Sequence, residues 1–199
     1  NNSFLPGLLQ LLIVLVTVFS IGSEMKRATS REWLRTADDS IIIAITGKLI
    51  PQTIIFFSMG LLYLSLLYGY LHFPMHNSIW HMIFAMFLLV VASQSFAVII
   101  MCFAPSLRIG LSVGGLVGVL SLSIAGFSFP VPAMYLPFQA ISYVLPVRHY
   151  FLIYVDQALN GIPLYYSRVH YVALILFAVA STPLLPRLKK ALMRQVYVP

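Results

Sequence analysis

The sequence predicts an all-α membrane protein, a polytopic bundle of crossing helices with no globular domain beside it. Three observations predict it. Between Arg108 and Arg148 the chain runs 39 residues without one Asp, Glu, Lys or Arg, whereas a bilayer helix needs only about 20 apolar residues. The composition is 60% hydrophobic and 9% charged, with a mean hydropathy of +0.95, outside the soluble range. Four further apolar segments are free of charge, which makes five crossings in a chain of 199 residues.

The first crossing is expected over about residues 4–21 and is followed by a charged segment, 22–48, the only substantial one between crossings. Within it Thr29 precedes Glu32 by three residues, a capping-box pattern in which each side chain satisfies the other's free backbone donor. A short helix is therefore expected within about 29–38, with Trp33, Leu34 and Ala37 on one side and Arg31 and Arg35 on another. Asp38 and Asp39 oppose the helix dipole and should end it. Such an amphipathic element suits either the lipid surface or a cytoplasmic partner.

The second and third crossings are expected over about 49–71 and 79–103, joined by a tight turn that carries His72, His76, His81 and Trp80. Trp and Tyr line such boundaries. The three histidines have no Cys or carboxylate beside them and match no familiar ligand spacing, so no metal site is expected. An interfacial place suits them best, with a role in an outer gate as the other function open to them. Cys102 stands alone in the third crossing, so no disulfide framework or cysteine metal site is expected.

The fourth crossing is expected over about 109–127, and the fifth over about 169–185. The stretch between them is broken by Pro130, Pro132 and Pro137. Charge decides its topology. Loops 22–48, the 105–108 turn and the tail after Leu185 hold ten of the twelve Lys and Arg residues, and the other side holds Arg148 and Arg168. The positive-inside rule makes the first set cytoplasmic. A full crossing by 131–147 would put the basic tail outside, so 129–147 is expected to dip in and return on the outer side. Non-helical backbone at that depth requires cover from protein or a water-lined cavity. The net charge of +7 thus reflects sidedness, and no nucleic acid is implied.

Phe4-Leu5-Pro6-Gly7-Leu8-Leu9 opens the first crossing, and Glu24-Met25-Lys26-Arg27-Ala28-Thr29 with Trp33-Leu34-Arg35-Thr36 follows it. Ala125-Gly126-Phe127-Ser128-Phe129-Pro130-Val131 and Leu145-Pro146-Val147-Arg148-His149-Tyr150-Phe151 come later in the chain. In that order these motifs resemble the Pro-Gly crossing start, the charged elbow, the outer hairpin and the turn beyond it of the ABC-2 family of ABC transporter permeases. The chain departs from the family pattern at Lys26, Ala28, Arg31 and Ala37, which partly inverts the elbow's charge.

The resemblance implies the membrane subunit of an ATP-driven exporter. It would move an amphipathic, drug-like or lipid- or glycan-linked substrate across a bacterial inner membrane, as a multi-pass protein with a cytoplasmic C-terminus. The implied partners are cytoplasmic ABC ATPase subunits, a second copy or a homologous permease, membrane lipid and a periplasmic adaptor. ATP and Mg would sit on the ATPase, because the chain has no Gly-x-x-x-x-Gly-Lys-Ser/Thr phosphate loop and no catalytic constellation. Glu24, Arg27, Thr29, Glu32, Trp33, Leu34 and Thr36 would form the coupling helix. Phe127, Phe129, Pro130 and Pro132 would belong to the re-entrant outer gate. Family members have six crossings, often with an extracytoplasmic domain after the first, so an upstream crossing and domain are expected beyond this sequence.

Ser58, Ser65, Ser93, Gln94, Ser95 and Ser112 are the polar residues expected within crossings. They suit helix–helix hydrogen bonds or a substrate path. No ionisable residue is expected at mid-membrane, which counts against an ion-coupled carrier. The alternative from another class is a membrane anchor or scaffold that transports nothing.

Overall fold

The computed structural model describes residues 4–73, 75–126 and 131–194. Among them are nine α-helices in the order α1 (Phe4–Lys26), α2 (Ser30–Arg35), α3 (Ile41–Ser65), α4 (Ile79–Phe103), α5 (Leu107–Ile124), α6 (Leu136–Tyr143), α7 (Pro146–Tyr154), α8 (Leu164–Val179) and α9 (Leu185–Arg194). Five segments are long and apolar enough to cross a membrane: α1, α3 with its π-helical extension to Tyr70, α4, α5, and the run Leu164–Arg194. The protein is an all-α polytopic bundle. Its chain alternates between a basic end, with α2, the starts of α3 and α5, and α9, and an opposite end that carries the histidine turn and α6–α7.

The helix bounds differ from the expected ones where local chemistry decides them. The second crossing starts at Ile41, eight residues before Leu49, because the helix continues through Lys48 once that cation has partners. The fourth ends at Ile124. The fifth begins at Leu164, bends through Thr182–Leu184 and continues as α9, so Arg168 lies inside a helix, its guanidinium 3.8 Å from the Tyr165 ring centroid.

Helix α4 is the axis of the bundle and is buried on most sides from Met82 to Cys102. Two apolar cores lie along it. One, at the basic end, joins Val18, Ile21, Leu34, Ile41, Val98, Leu188 and Leu192. The other, at the opposite end, joins Leu64, Met86, Val147, Tyr150, Ile153 and Leu174. Lipid tails are as apolar as leucine, so contact in a bilayer depends on close packing and hydrogen bonds. The α1–α5 pair shows the packing. Gly110, Gly114 and Gly118 present bare backbone to Val18, Val14 and Leu11, and an added Cβ at Gly114 would lie 3.2 Å from Val14 Cγ1.

Between the cores runs a polar layer. Thr53 donates to Gln94 Oε1 at 2.8 Å, and Gln94 Nε2 donates to the Leu49 carbonyl at 3.3 Å, which ties α3 to α4. Thr17 donates to Gln52 at 3.2 Å, which ties α1 to α3. The break after Val179 frees backbone donors, and Ser95 Oγ accepts one of them, Ser181 N–H, at 3.2 Å.

Helices α6 and α7, of 8 and 9 residues, are far short of the roughly 20 a crossing needs. A proline stands in the first turn of each, Pro137 and Pro146, where its missing N–H costs nothing. They form a hairpin turned at Val144–Leu145, and α7 packs against α4 and α8. Gln10 fixes its depth: its Oε1 accepts Val147 N–H at 2.7 Å, and its Nε2 donates to Ser121 at 3.1 Å. Gln10 is six residues along α1 from Phe4, roughly 9 Å at 1.5 Å per residue.

Candidate functional site

The charged elbow gathers its residues around a lysine from another helix. Lys48 Nζ donates to Glu24 Oε1 at 2.6 Å and to the Ser20 carbonyl at 2.8 Å, and it lies 4.4 Å from the Trp33 ring centroid. Thr29 Oγ1 donates to the other oxygen of Glu24. The end of α1, the start of α2 and the first turns of α3 are thus joined through one ion pair, a charge-assisted contact stronger than a neutral hydrogen bond.

That arrangement corrects the capping-box expectation. Thr29 occupies the N-cap position but makes no side-chain bond to the helix, because the Glu24 carboxylate, a charged acceptor, takes its hydroxyl. Helix α2 closes at Arg35, where Thr36 Oγ1 donates to the Trp33 carbonyl at 2.7 Å. Asp38 and Asp39 follow with φ of 50° and 54°, a left-handed conformation that Asp tolerates better than most residues. The chain reverses there into α3.

The two faces of α2 have different neighbours. Leu34 is 2% exposed and Ala37 is 7% exposed, both within the basic-end core. Arg31, Glu32 and Arg35 are exposed, as is Arg27 just before the helix. Leu34 is therefore the seat of the elbow. Helix α9 closes over the same region with Leu185, Leu188 and Leu192 inward. Arg31 donates to the Met193 carbonyl at 3.2 Å, and Lys189 donates to the Asp39 carbonyl. A cleft of about 260 Å³ remains between them, lined by Arg31, Leu34, Arg35, Asp39 and Met193.

The six polar residues of the crossings do not converge. Ser58, Ser65 and Ser112 are exposed, and each donates to a carbonyl of its own helix (Ile55, Leu62 and Arg108). Ser93, Gln94 and Ser95 are buried on α4. Ser93 bonds the Leu89 carbonyl at 2.6 Å, while Gln94 and Ser95 stitch helices together. Of the gate residues, Phe127, Phe129 and Pro130 lie outside the described residues. Pro132 falls in the single turn Val131–Ala133.

At the opposite end the histidines are held separately. His72 Nδ1 is 2.9 Å from the Tyr70 carbonyl, and His76 Nδ1 is 3.2 Å from that of Ala158. His81 lends its carbonyl to the Tyr171 hydroxyl at 3.1 Å. Sequence reasoning treated Arg148 as an outer-loop cation, whereas the hairpin turns it inward and it is 7% exposed. Reasoning also passed over Lys48 and Gln10. A single cation beside an apolar run, and a lone amide within one, were the sequence marks of those two.

The family described as ABC-2 family transporter protein matches residues 1–185 of the chain. No curated protein and no solved structure matches it.

Proposed function

The chain belongs to the ABC-2 family of transporter proteins, and from that premise we propose that α2 is its coupling element to a cytoplasmic ATPase. As a member it is a transmembrane component of an ABC transporter, and the family implies ABC ATPase partners. We infer that it serves as an exporter subunit with its basic end in the cytoplasm of a bacterial cell, paired with a second copy or a homologue. The observation that carries the coupling reading is the Glu24–Lys48–Trp33 junction. Any displacement of α2 is passed to α1 and α3 through it, and to α9 through Arg31.

The ATPase would close on ATP and Mg and draw the elbow with it, which shifts the crossings between two packings. Contact falls to the exposed face, Glu32 and Arg35, with Arg27 beside it; Trp33 and Leu34 anchor. An amphipathic substrate is supported by an apolar groove of about 340 Å³ between α1 and α3, where Leu9, Leu12, Met59 and Leu62 meet one polar side chain, Tyr63.

Charge reversal of the exposed face tests this. Glu32→Arg with Arg35→Glu leaves the core untouched, so yield and unfolding temperature should hold. ATP-driven transport with the partner ATPase should fall by about tenfold or more, the ratio that 1.4 kcal/mol of lost contact gives. Full transport by that variant would overturn the assignment.

A further inference from the structure

We propose that the inward-turned start of α7, centred on Arg148, is a binding site for a phosphate-type oxyanion, as carried by an anionic lipid or lipid-linked head group. Arg148 is 7% exposed, and its Nε is buried without a hydrogen-bond partner among the described residues. The Tyr143 ring lies 4.4 Å from its guanidinium carbon.

No carboxylate compensates it. The chain has five acidic residues. Glu24, Glu32, Asp38 and Asp39 are at the basic end, and Asp156 is two helical turns along, accepting from Ser167 Oγ at 3.1 Å. Arg148 occupies the first turn of α7, where the helix dipole is itself positive. His149, also 7% exposed, donates from Nε2 to the Tyr143 carbonyl at 3.0 Å.

Arginine does not lose its proton in a protein, so burial cannot be relieved by neutralisation. An uncompensated buried charge is costly, and a single cation–π contact offsets only part of that cost. A buried charge kept on those terms marks a candidate functional site. The planar guanidinium fork, with Nε unpartnered, is the geometry that takes a phosphate oxyanion. The inference rests on the transporter reading only for the source of the oxyanion.

The test uses the full chain in neutral detergent, without ATPase or ATP, so its failure and failure of the coupling reading are separate results. Thermal unfolding is followed against inorganic phosphate, phosphatidylglycerol and, as a neutral control, phosphatidylcholine. Lys189→Gln with Lys190→Gln lowers the background of anion binding at the basic end. In that background an anion should stabilise the protein. Arg148→Gln should weaken its apparent affinity by about tenfold or more, the ratio for one lost charge-assisted contact. Stabilisation by phosphate and lipid alike would identify the oxyanion alone as ligand, and by lipid only, the head group with its chain. No stabilisation, equal stabilisation by phosphatidylcholine, or equal affinity in Arg148→Gln would overturn the proposal. If Arg148→Gln does not fold, Arg148→Lys keeps the charge and loses the fork, and unchanged affinity in that variant would overturn it equally.

Discussion

Lys48 is the residue on which the elbow turns, because one ammonium group meets the Glu24 carboxylate, the Ser20 carbonyl and the Trp33 ring together. Removal of either charged partner should cost about 1–2 kcal/mol, and the effect should depend on the pair. Glu24→Gln and Lys48→Met should each lower the unfolding temperature, and the double variant should lose less than the two losses summed. Strict additivity in that thermal cycle would mean that the pair does not hold the elbow. Glu24, Thr29 and Trp33 were legible in the sequence as motif residues, but their junction was not. It forms across 24 residues of chain, and no local rule links Glu24 to Lys48. Locality also explains the failed capping box: the rule sees Thr29 and Glu32, whereas a charged acceptor from the preceding helix wins the hydroxyl.

Among the elements, the crossings were legible because length and apolarity are properties of single helices, and a bilayer makes both obligatory. Their partners were less so. The α1–α5 seam follows Gly110, Gly114 and Gly118, a four-residue spacing that marks close helix approach. Gly114→Leu would drive a side chain into Val14 and should cost about 1–3 kcal/mol, the usual range for overpacking. Gly47, with nothing within 4 Å of a Cβ, should accept alanine without loss of stability. Unfolding temperatures in detergent check both, and equal tolerance at the two positions would contradict the seam. The prolines marked a break between the last two crossings, but the hairpin runs on to Tyr154, past the expected end at 147, and Gln10 seats it through a bond to Val147 N–H.

At the scale of the whole molecule, ten of the twelve basic residues sort to one end and the histidines and hairpin to the other. The positive-inside rule reads that asymmetry as sidedness. With Cys102 changed to Ser, a cysteine at Tyr135, which is 83% exposed, should react with an impermeant thiol reagent added outside intact cells. A cysteine at Arg194 should react only after the membrane is opened. The reverse pattern would invert the topology and with it the end that meets the ATPase. The central claim is that α2 presents its exposed face to that partner. The most direct measurement is site-specific photocrosslinking in native membranes from a probe at Arg35, with Tyr135 as the control position. Capture of a phosphate-loop ATPase from Arg35 and not from Tyr135 is the predicted result. Capture of that ATPase from Tyr135 alone, or from neither position in a membrane where transport is active, would contradict it.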